Sequence, residues 1–236
     1  MENNNQTNNQ TNNQNENNFE NEKVNKTTLT KKQTKYLMYI IDPYCGWCYG
    51  NSKNIVELSK EYKIEIIPAG MWSGANSRTG LEVKEFITKG SRIVTAKTGV
   101  QFTNRYFDLL EKDTKFDSEI PSRAINVVKK IDENKQVQFT NEIHYAHYFG
   151  GLDLNILQTY HDICIKLEID FDKFHTELEN QDNIDNTQYE FNRAYQLARK
   201  YPTMIAVSEN GDIELVEGQF NLDKYKQEIE HIMSED

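Results

Sequence analysis

The chain has 236 residues, of which 37% are hydrophobic, and its formal net charge at pH 7 is −10. This length and apolar content suffice for one sizeable core, and the negative charge disfavours nucleic acid and anionic membranes as partners. No apolar run reaches the ~20 residues that a transmembrane helix requires. Residues 1–22 show neither the basic start nor the apolar stretch of a secretory signal, so we expect a cytoplasmic protein.

Residues 1–33 form a compositionally distinct segment that repeats NNQT and contains few apolar side chains. Folding such a segment would cost roughly 1–2 kcal/mol of backbone entropy per residue, with little apolar burial to offset it. We therefore predict a disordered Asn/Gln-rich tail. A partner-binding or assembly role for this tail stays open.

Ordered structure is predicted to begin at residue 34. The run YLMYII at 36–41 is continuously apolar, which is typical of a strand buried on both faces. Apolar residues then recur at helical spacing to about residue 62, and KIEIIPAG at 63–70 indicates a second buried strand. This β-α-β order predicts parallel strands joined by a crossover helix within residues 34–75.

Residues 76–199 show amphipathic helical patterns and no convincing strand. Candidate helices span 81–89, 91–111, 119–133, 135–149, 153–168, 171–179 and 187–200. Strand patterns return in TMIAVS and IELVEG, which flank an Asn-Gly hairpin signal, and a last helix is predicted near the end of residues 200–236. We therefore predict an α/β protein in which a large all-helical insertion separates a β-α-β half from a β-β-α half.

Two of the three cysteines, Cys45 and Cys48, lie three positions apart where the first strand gives way to a helix. In the first turn of a helix, such a pair shares one face with Cβ atoms ~5–6 Å apart, so a disulfide can form and break after a small adjustment. The helix N-terminus favours a thiolate at Cys45, the expected nucleophile. Cys48, one turn further in, suits the role of the resolving thiol.

Trp47 lies between the two cysteines, where a histidine could carry positive charge near Cys45. An indole supplies bulk and an N–H donor but no charge. We therefore expect the pair to be less oxidising than the strongest periplasmic oxidants, whose reduction potential is about −120 mV.

Other interpretations of these residues remain open at the level of sequence. His161 and Cys164 could complete a four-ligand zinc site with the cysteine pair, although Cys164 shares a helical face with apolar residues and is more simply a core thiol. His144 and His147 could bind a metal ion or transfer protons near the thiols, but a packing role inside a helix is favoured.

The combined pattern resembles the DsbA-like thioredoxin-fold oxidoreductases, especially their FrnE-type branch. The resemblance rests on DPYCGWCYG at 42–50, PAG at 68–70, PSRAIN at 121–126 and YPTMIAV at 201–207. It implies a thioredoxin fold with a helical insertion, and it implies that Pro202 is a cis-proline facing the cysteine pair. Tyr201 would offer its backbone to an extended substrate strand. Trp47, Tyr201 and Pro202 are thus the expected substrate-binding residues.

Such a protein is expected to exchange two electrons with thiol or disulfide protein substrates, or with small thiols, through a mixed disulfide at Cys45. Reduction or isomerisation is the expected direction, without a cofactor or a metal ion. Neither nucleic acid nor a membrane is an expected partner, and the oligomeric state is not predicted. Two alternatives are a non-catalytic thioredoxin-fold binding module and a kappa-type glutathione transferase, although that group usually has serine in place of Cys45.

Overall fold

The computed structural model describes residues 36–234 of the chain, and the predicted tail at 1–33 lies outside them. The strands are β1 (Tyr36–Ile41), β2 (Ile64–Pro68), β3 (Arg78–Thr79), β4 (Lys115–Phe116), β5 (Thr203–Val207) and β6 (Ile213–Val216). The helices are α1 (Gly46–Leu58), α2 (Gly80–Thr98), α3 (Asn104–Leu110), α4 (Glu119–Ile131), α5 (Gln136–Tyr148), α6 (Leu157–Lys166), α7 (Phe171–Leu178), α8 (Gln181–Leu197) and α9 (Leu222–Ser234). Within this part of the chain, none of the helices combines the length and apolar content needed to cross a bilayer.

A four-stranded sheet with the order β2-β1-β5-β6 forms the centre of the fold. Strand β1 pairs parallel to β2 and antiparallel to β5, and β6 pairs antiparallel to β5. Alternate residues of β1 point to opposite faces: Leu37 packs with α1, α9 and the insertion, whereas Met38 packs beneath Ala194 of α8. Burial on both faces explains why YLMYII carries no polar residue.

The element order confirms the predicted fold class, with β-α-β, a helical insertion and β-β-α following one another along the chain. The exact boundaries at residues 75/76 and 199/200 stay predictions. The insertion is not entirely helical, because β3 and β4 form a two-residue antiparallel ladder in which Arg78 pairs with Phe116. Strands of two residues carry too little alternation to be read from sequence.

The prediction of two helices at 81–89 and 91–111 is wrong in the place where it divides them. One helix, α2, runs through residue 90 without a break, and a separate short helix, α3, follows it. The break falls at Gly99, whose backbone adopts φ 76° and ends α2 in a left-handed conformation. The glycine at the true C-terminus of the helix is the signal that the sequence interpretation missed.

A cluster of four charged side chains joins the insertion to the edge of the sheet. Arg193 of α8 and Lys129 of α4 contact a carboxylate oxygen of Glu65 on β2 at 2.6 and 3.0 Å, and both also contact Glu190. Burial of Glu65 opposes its ionisation, but hydrogen bonding and charge attraction from Arg193 and Lys129 prevail and lower its pKa to about 2.

Because the pKa of Glu65 is lowered, the free energy of unfolding decreases as the pH falls through the acid range. The pKa of Glu65 is 4.5 when unperturbed, so its contribution is fully present above pH 4.5 and is lost as the pH falls through about 2. We expect the free energy of unfolding of Glu65→Gln to fall less steeply over this pH range than that of the wild type. Denaturant unfolding at a series of pH values measures the two slopes. Glu57→Gln, which removes an exposed ion pair with Lys60, is the control and should keep the wild-type slope. An unchanged slope in Glu65→Gln would contradict this assignment.

Candidate active site

The Cys45 sulfur lies at the N-terminus of α1. Cys45 is the N-cap residue of this helix, with φ −91° and ψ 106°, and its Sγ accepts a hydrogen bond from the backbone N–H of Cys48 at 3.3 Å. A helix N-terminus presents unpaired N–H groups and a partial positive charge, both of which stabilise a thiolate. The sequence prediction that the pair opens a helix behind a buried strand is therefore confirmed.

The two thiols differ in their surroundings. Cys45 keeps 6% of its exposure and borders a surface pocket, whereas Cys48 is fully buried behind it. Burial raises the pKa of the Cys48 thiol well above its ordinary value, and contact with Cys45 raises it further. Cys45 is therefore the more accessible of the two thiols, and the Cys48 thiol holds its proton more strongly than a free thiol does. That Cys45 attacks and Cys48 resolves stays a prediction.

The loop before β5 faces the cysteine pair. The Tyr201–Pro202 peptide bond is cis, as the resemblance implied. The carbonyl oxygen of Tyr201 lies 3.5 Å from the Cys45 sulfur, although the two residues are 156 positions apart in the chain. Pairing of β1 with β5 brings them together, since each segment lies at the same end of the sheet. That Tyr201 and Pro202 bind substrate stays a prediction.

Asp42, at the end of β1, organises the loops around the pair, a role that the sequence interpretation missed. Its carboxylate accepts hydrogen bonds from the Tyr44 N–H at 2.9 Å, the Met71 N–H at 2.6 Å and the Ser118 hydroxyl at 3.1 Å. Burial raises the pKa of Asp42 to about 6 despite these bonds. Through this one carboxylate, the loop between β1 and α1 is hydrogen-bonded to the segment after β2 and to the start of α4.

His144 and His147 are both buried on α5 of the insertion. His144 lies 3.2 Å from the Ser52 hydroxyl and 3.3 Å from the carbonyl oxygen of Asp42, whereas His147 contacts the carbonyl oxygen of Leu152 at 3.1 Å. Burial lowers the pKa of each imidazole to about 4. Both are therefore neutral at pH 7, and their contacts are those of the packing role that the sequence favoured.

The four-ligand zinc alternative does not match the geometry. Within residues 36–234, no three His, Cys, Asp or Glu side chains are grouped so that they could hold a metal ion. Cys164 is buried in the core, where burial raises the pKa of its thiol to about 12. It occupies the position of a core thiol on α6, as the apolar face of that helix predicted.

Two cavities share Trp47 and Tyr201 in their linings, and Cys45 lines the smaller of them. A pocket of about 200 Å³, here called the insertion pocket, lies between Cys45 and the insertion and has no charged side chain in its lining. A larger groove of about 630 Å³, the hairpin groove, is lined partly by β5 and β6 and includes the charged residues Lys97, Lys200 and Glu217. Of the three residues predicted to bind substrate, Trp47 and Tyr201 line both cavities and Pro202 lines the hairpin groove.

No protein-family model and no curated protein sequence matches the chain. Similar solved structures include a candidate protein disulfide isomerase from Nitrosomonas europaea, at 22% identity and TM-score 0.73, covering 86% of this chain and 98% of that one. The cytosolic disulfide reductase DsbM from Pseudomonas aeruginosa is similar at 20% identity and TM-score 0.72, covering 85% and 100%. A probable DsbA oxidoreductase from Streptomyces coelicolor matches at 12% identity and TM-score 0.63, covering 86% and 92%.

These likenesses extend over nearly the full length of the solved proteins. The chain has a DsbA-like thioredoxin fold. In this fold, Cys45 and Cys48 begin the first helix of the β-α-β half, and the loop carrying Pro202 faces them from the β-β-α half. Assignment to the FrnE-type branch stays a prediction.

Proposed function

We propose that this protein is a cytoplasmic thiol-disulfide oxidoreductase of the reductase or isomerase type. The observation that carries the proposal is the position of Cys45, whose sulfur lies 3.3 Å from a helix N-terminal N–H and 3.5 Å from the Tyr201 carbonyl oxygen. One face of the sulfur is held by the helix, while the opposing loop offers backbone groups to a substrate chain.

The proposed reaction passes two electrons between the cysteine pair and a substrate. The Cys45 thiolate attacks a substrate disulfide, forming a mixed disulfide and releasing one substrate sulfur as a thiolate. Cys48 then attacks the Cys45 sulfur, which releases the second substrate sulfur and leaves a Cys45–Cys48 disulfide. The Cys48 proton passes to the departing sulfur, which leaves as a thiol. The substrate is reduced by two electrons and the pair is oxidised by two. A thiol donor must then return the electrons.

Protein disulfides are the proposed substrates, and a small thiol is the proposed electron donor. The similar Pseudomonas aeruginosa protein is described as a cytosolic disulfide reductase, and it was also solved with GSH. The uncharged Trp47 between the cysteines supports the same direction, because it adds no positive charge that would stabilise the reduced form of a strong oxidant.

We expect the purified protein to reduce insulin with a thiol donor and to reshuffle a scrambled disulfide substrate. Titration in glutathione buffers should give a reduction potential more negative than about −120 mV, the value of a strong oxidant. A value at or above that level would contradict the reductase direction. A protein that acts on neither substrate would overturn the enzymatic function and favour a non-catalytic binding module instead.

A further inference from the structure

Tyr148, the last residue of α5, packs beside the cysteine helix. Its ring stacks on Tyr49 of α1 at a centroid distance of 5.0 Å, and Phe102 meets it edge-on at 5.4 Å. Tyr49 follows Cys45 by four positions, so this stack lies on the first turns of the helix that the sulfur begins. Only 1% of Tyr148 is exposed, and packing from several sides fixes the direction of its ring.

The hydroxyl of Tyr148 has no hydrogen-bond partner among the residues that the structure describes. A buried hydroxyl is costly when it is unpaired, so such a group needs an explanation. Tyr148 and Cys45 line the same insertion pocket. The mechanism proposed above creates a new acceptor in this pocket, because the Cys45 sulfur carries a negative charge before it attacks.

The Tyr148 hydroxyl stays protonated, so it can always donate a hydrogen bond. Burial raises its pKa well above the ordinary value, and the neighbouring Tyr106, Cys45 and Cys48 raise it further through unfavourable charge interactions. The phenol therefore keeps its proton throughout the pH range in which a thiol ionises.

Tyr106 provides an internal comparison. It is also fully buried, its hydroxyl also lacks a partner in the described part of the chain, and its ring lies 5.0 Å from that of Tyr148. The pKa of Tyr106 is raised by burial alone, with no contribution from either cysteine. Both tyrosines are buried and line the insertion pocket, but only the Tyr148 ring stacks on a residue of the cysteine helix, Tyr49. The aromatic rings that contact Tyr106 all belong to the insertion.

We propose that the Tyr148 hydroxyl donates a hydrogen bond, directly or through one water molecule, to the Cys45 sulfur while that sulfur is a thiolate. This inference rests on the proposed oxidoreductase function. The hydrogen bond stabilises the charged nucleophile in addition to the bond from the backbone N–H of Cys48. It is lost when the sulfur enters a disulfide and its charge disappears. The insertion thereby contributes a catalytic group to the cysteine pair.

The test is the pH profile of iodoacetamide alkylation at Cys45, measured by mass spectrometry in a Cys48→Ala background. Loss of a hydrogen bond to a charged group should move the midpoint of this profile upward by about one pH unit in Tyr148→Phe. Tyr106→Phe removes an equally buried, equally unpartnered hydroxyl and should leave the midpoint in place. Tyr148→Phe should also unfold at the same or a higher denaturant concentration, because it deletes an unpaired buried group.

The outcomes separate this inference from the proposed function. An unmoved midpoint in Tyr148→Phe, in a protein whose wild type reduces insulin, would overturn the role of Tyr148 alone. Equal shifts in Tyr148→Phe and Tyr106→Phe would also overturn it, since a general effect on packing would then explain both. A wild type without disulfide reductase activity would overturn the proposed function itself, whatever the alkylation profile shows.

Discussion

Replacing Cys48 by serine is expected to stop turnover and to leave substrate covalently joined to Cys45. Under the proposed mechanism Cys45, which borders the insertion pocket, still attacks a disulfide, whereas the resolving thiol is absent. A serine hydroxyl in the buried site of Cys48 cannot displace a thiolate from the mixed disulfide at neutral pH. The first half of the reaction therefore proceeds and the second half fails.

The measurement is non-reducing electrophoresis and mass spectrometry after incubation with a disulfide substrate. Cys48→Ser should give adducts that disappear on reduction, and insulin reduction should fall to the background rate. Insulin reduction by Cys45→Ser should fall to the same background rate, but this variant should form no adducts. It is therefore the matched control. Wild-type turnover in Cys48→Ser would show that a single thiol suffices and would contradict the resolving role of Cys48.

Replacing Gly70 by alanine is expected to lower the free energy of unfolding by about 2–5 kcal/mol. Gly70 adopts φ 64°, in the left-handed region, and an added Cβ would lie 2.6 Å from the ring of Phe191 on α8. Since Phe191 is buried, its ring has little room to move. The next residue, Met71, donates its N–H to Asp42, so the strain falls on the segment that holds the cysteine loop.

Gly74→Ala is the control for this substitution. Gly74 also has a positive φ, 56°, but an added Cβ meets no atom within 4 Å. Gly74→Ala should lower the free energy of unfolding only by the backbone strain of a left-handed alanine, about 1–2 kcal/mol. Denaturant unfolding of both variants separates backbone strain from the clash with Phe191. Equal losses would show that the close approach to the ring contributes nothing.

The sequence predicted the central sheet and its surroundings because the chain marks them strongly. The apolar run at 36–41 needs burial on both faces, and the Asn-Gly pair at 210 and 211 marks the turn between β5 and β6. Within the insertion, periodicity predicted helices but placed a break near residue 90 instead of at Gly99. The β3–β4 ladder was missed because two residues do not establish a pattern.

Prediction of the candidate site was less complete, for a physical reason. Cys45, Cys48 and Pro202 stand in recognisable motifs, and the structure brings them together. Asp42 and Tyr148 act through partners that are distant in the chain: Asp42 bonds to Ser118, and Tyr148 stacks on Tyr49. An aspartate before a proline and a tyrosine in an aromatic helix have ordinary local explanations. Only the packing of the insertion against α1 distinguishes them.

The separation of the site's two parts along the chain has a consequence for biosynthesis. Cys45 and the facing carbonyl of Tyr201 are 156 positions apart. At ribosomal rates of about 5–20 residues per second, the reactive sulfur is made about 8–30 s before the loop that covers its other side. During that interval the nascent polypeptide carries a CxxC sequence that has no completed sheet behind it. Strand β1 can therefore pair with β5 only after the whole insertion has been made.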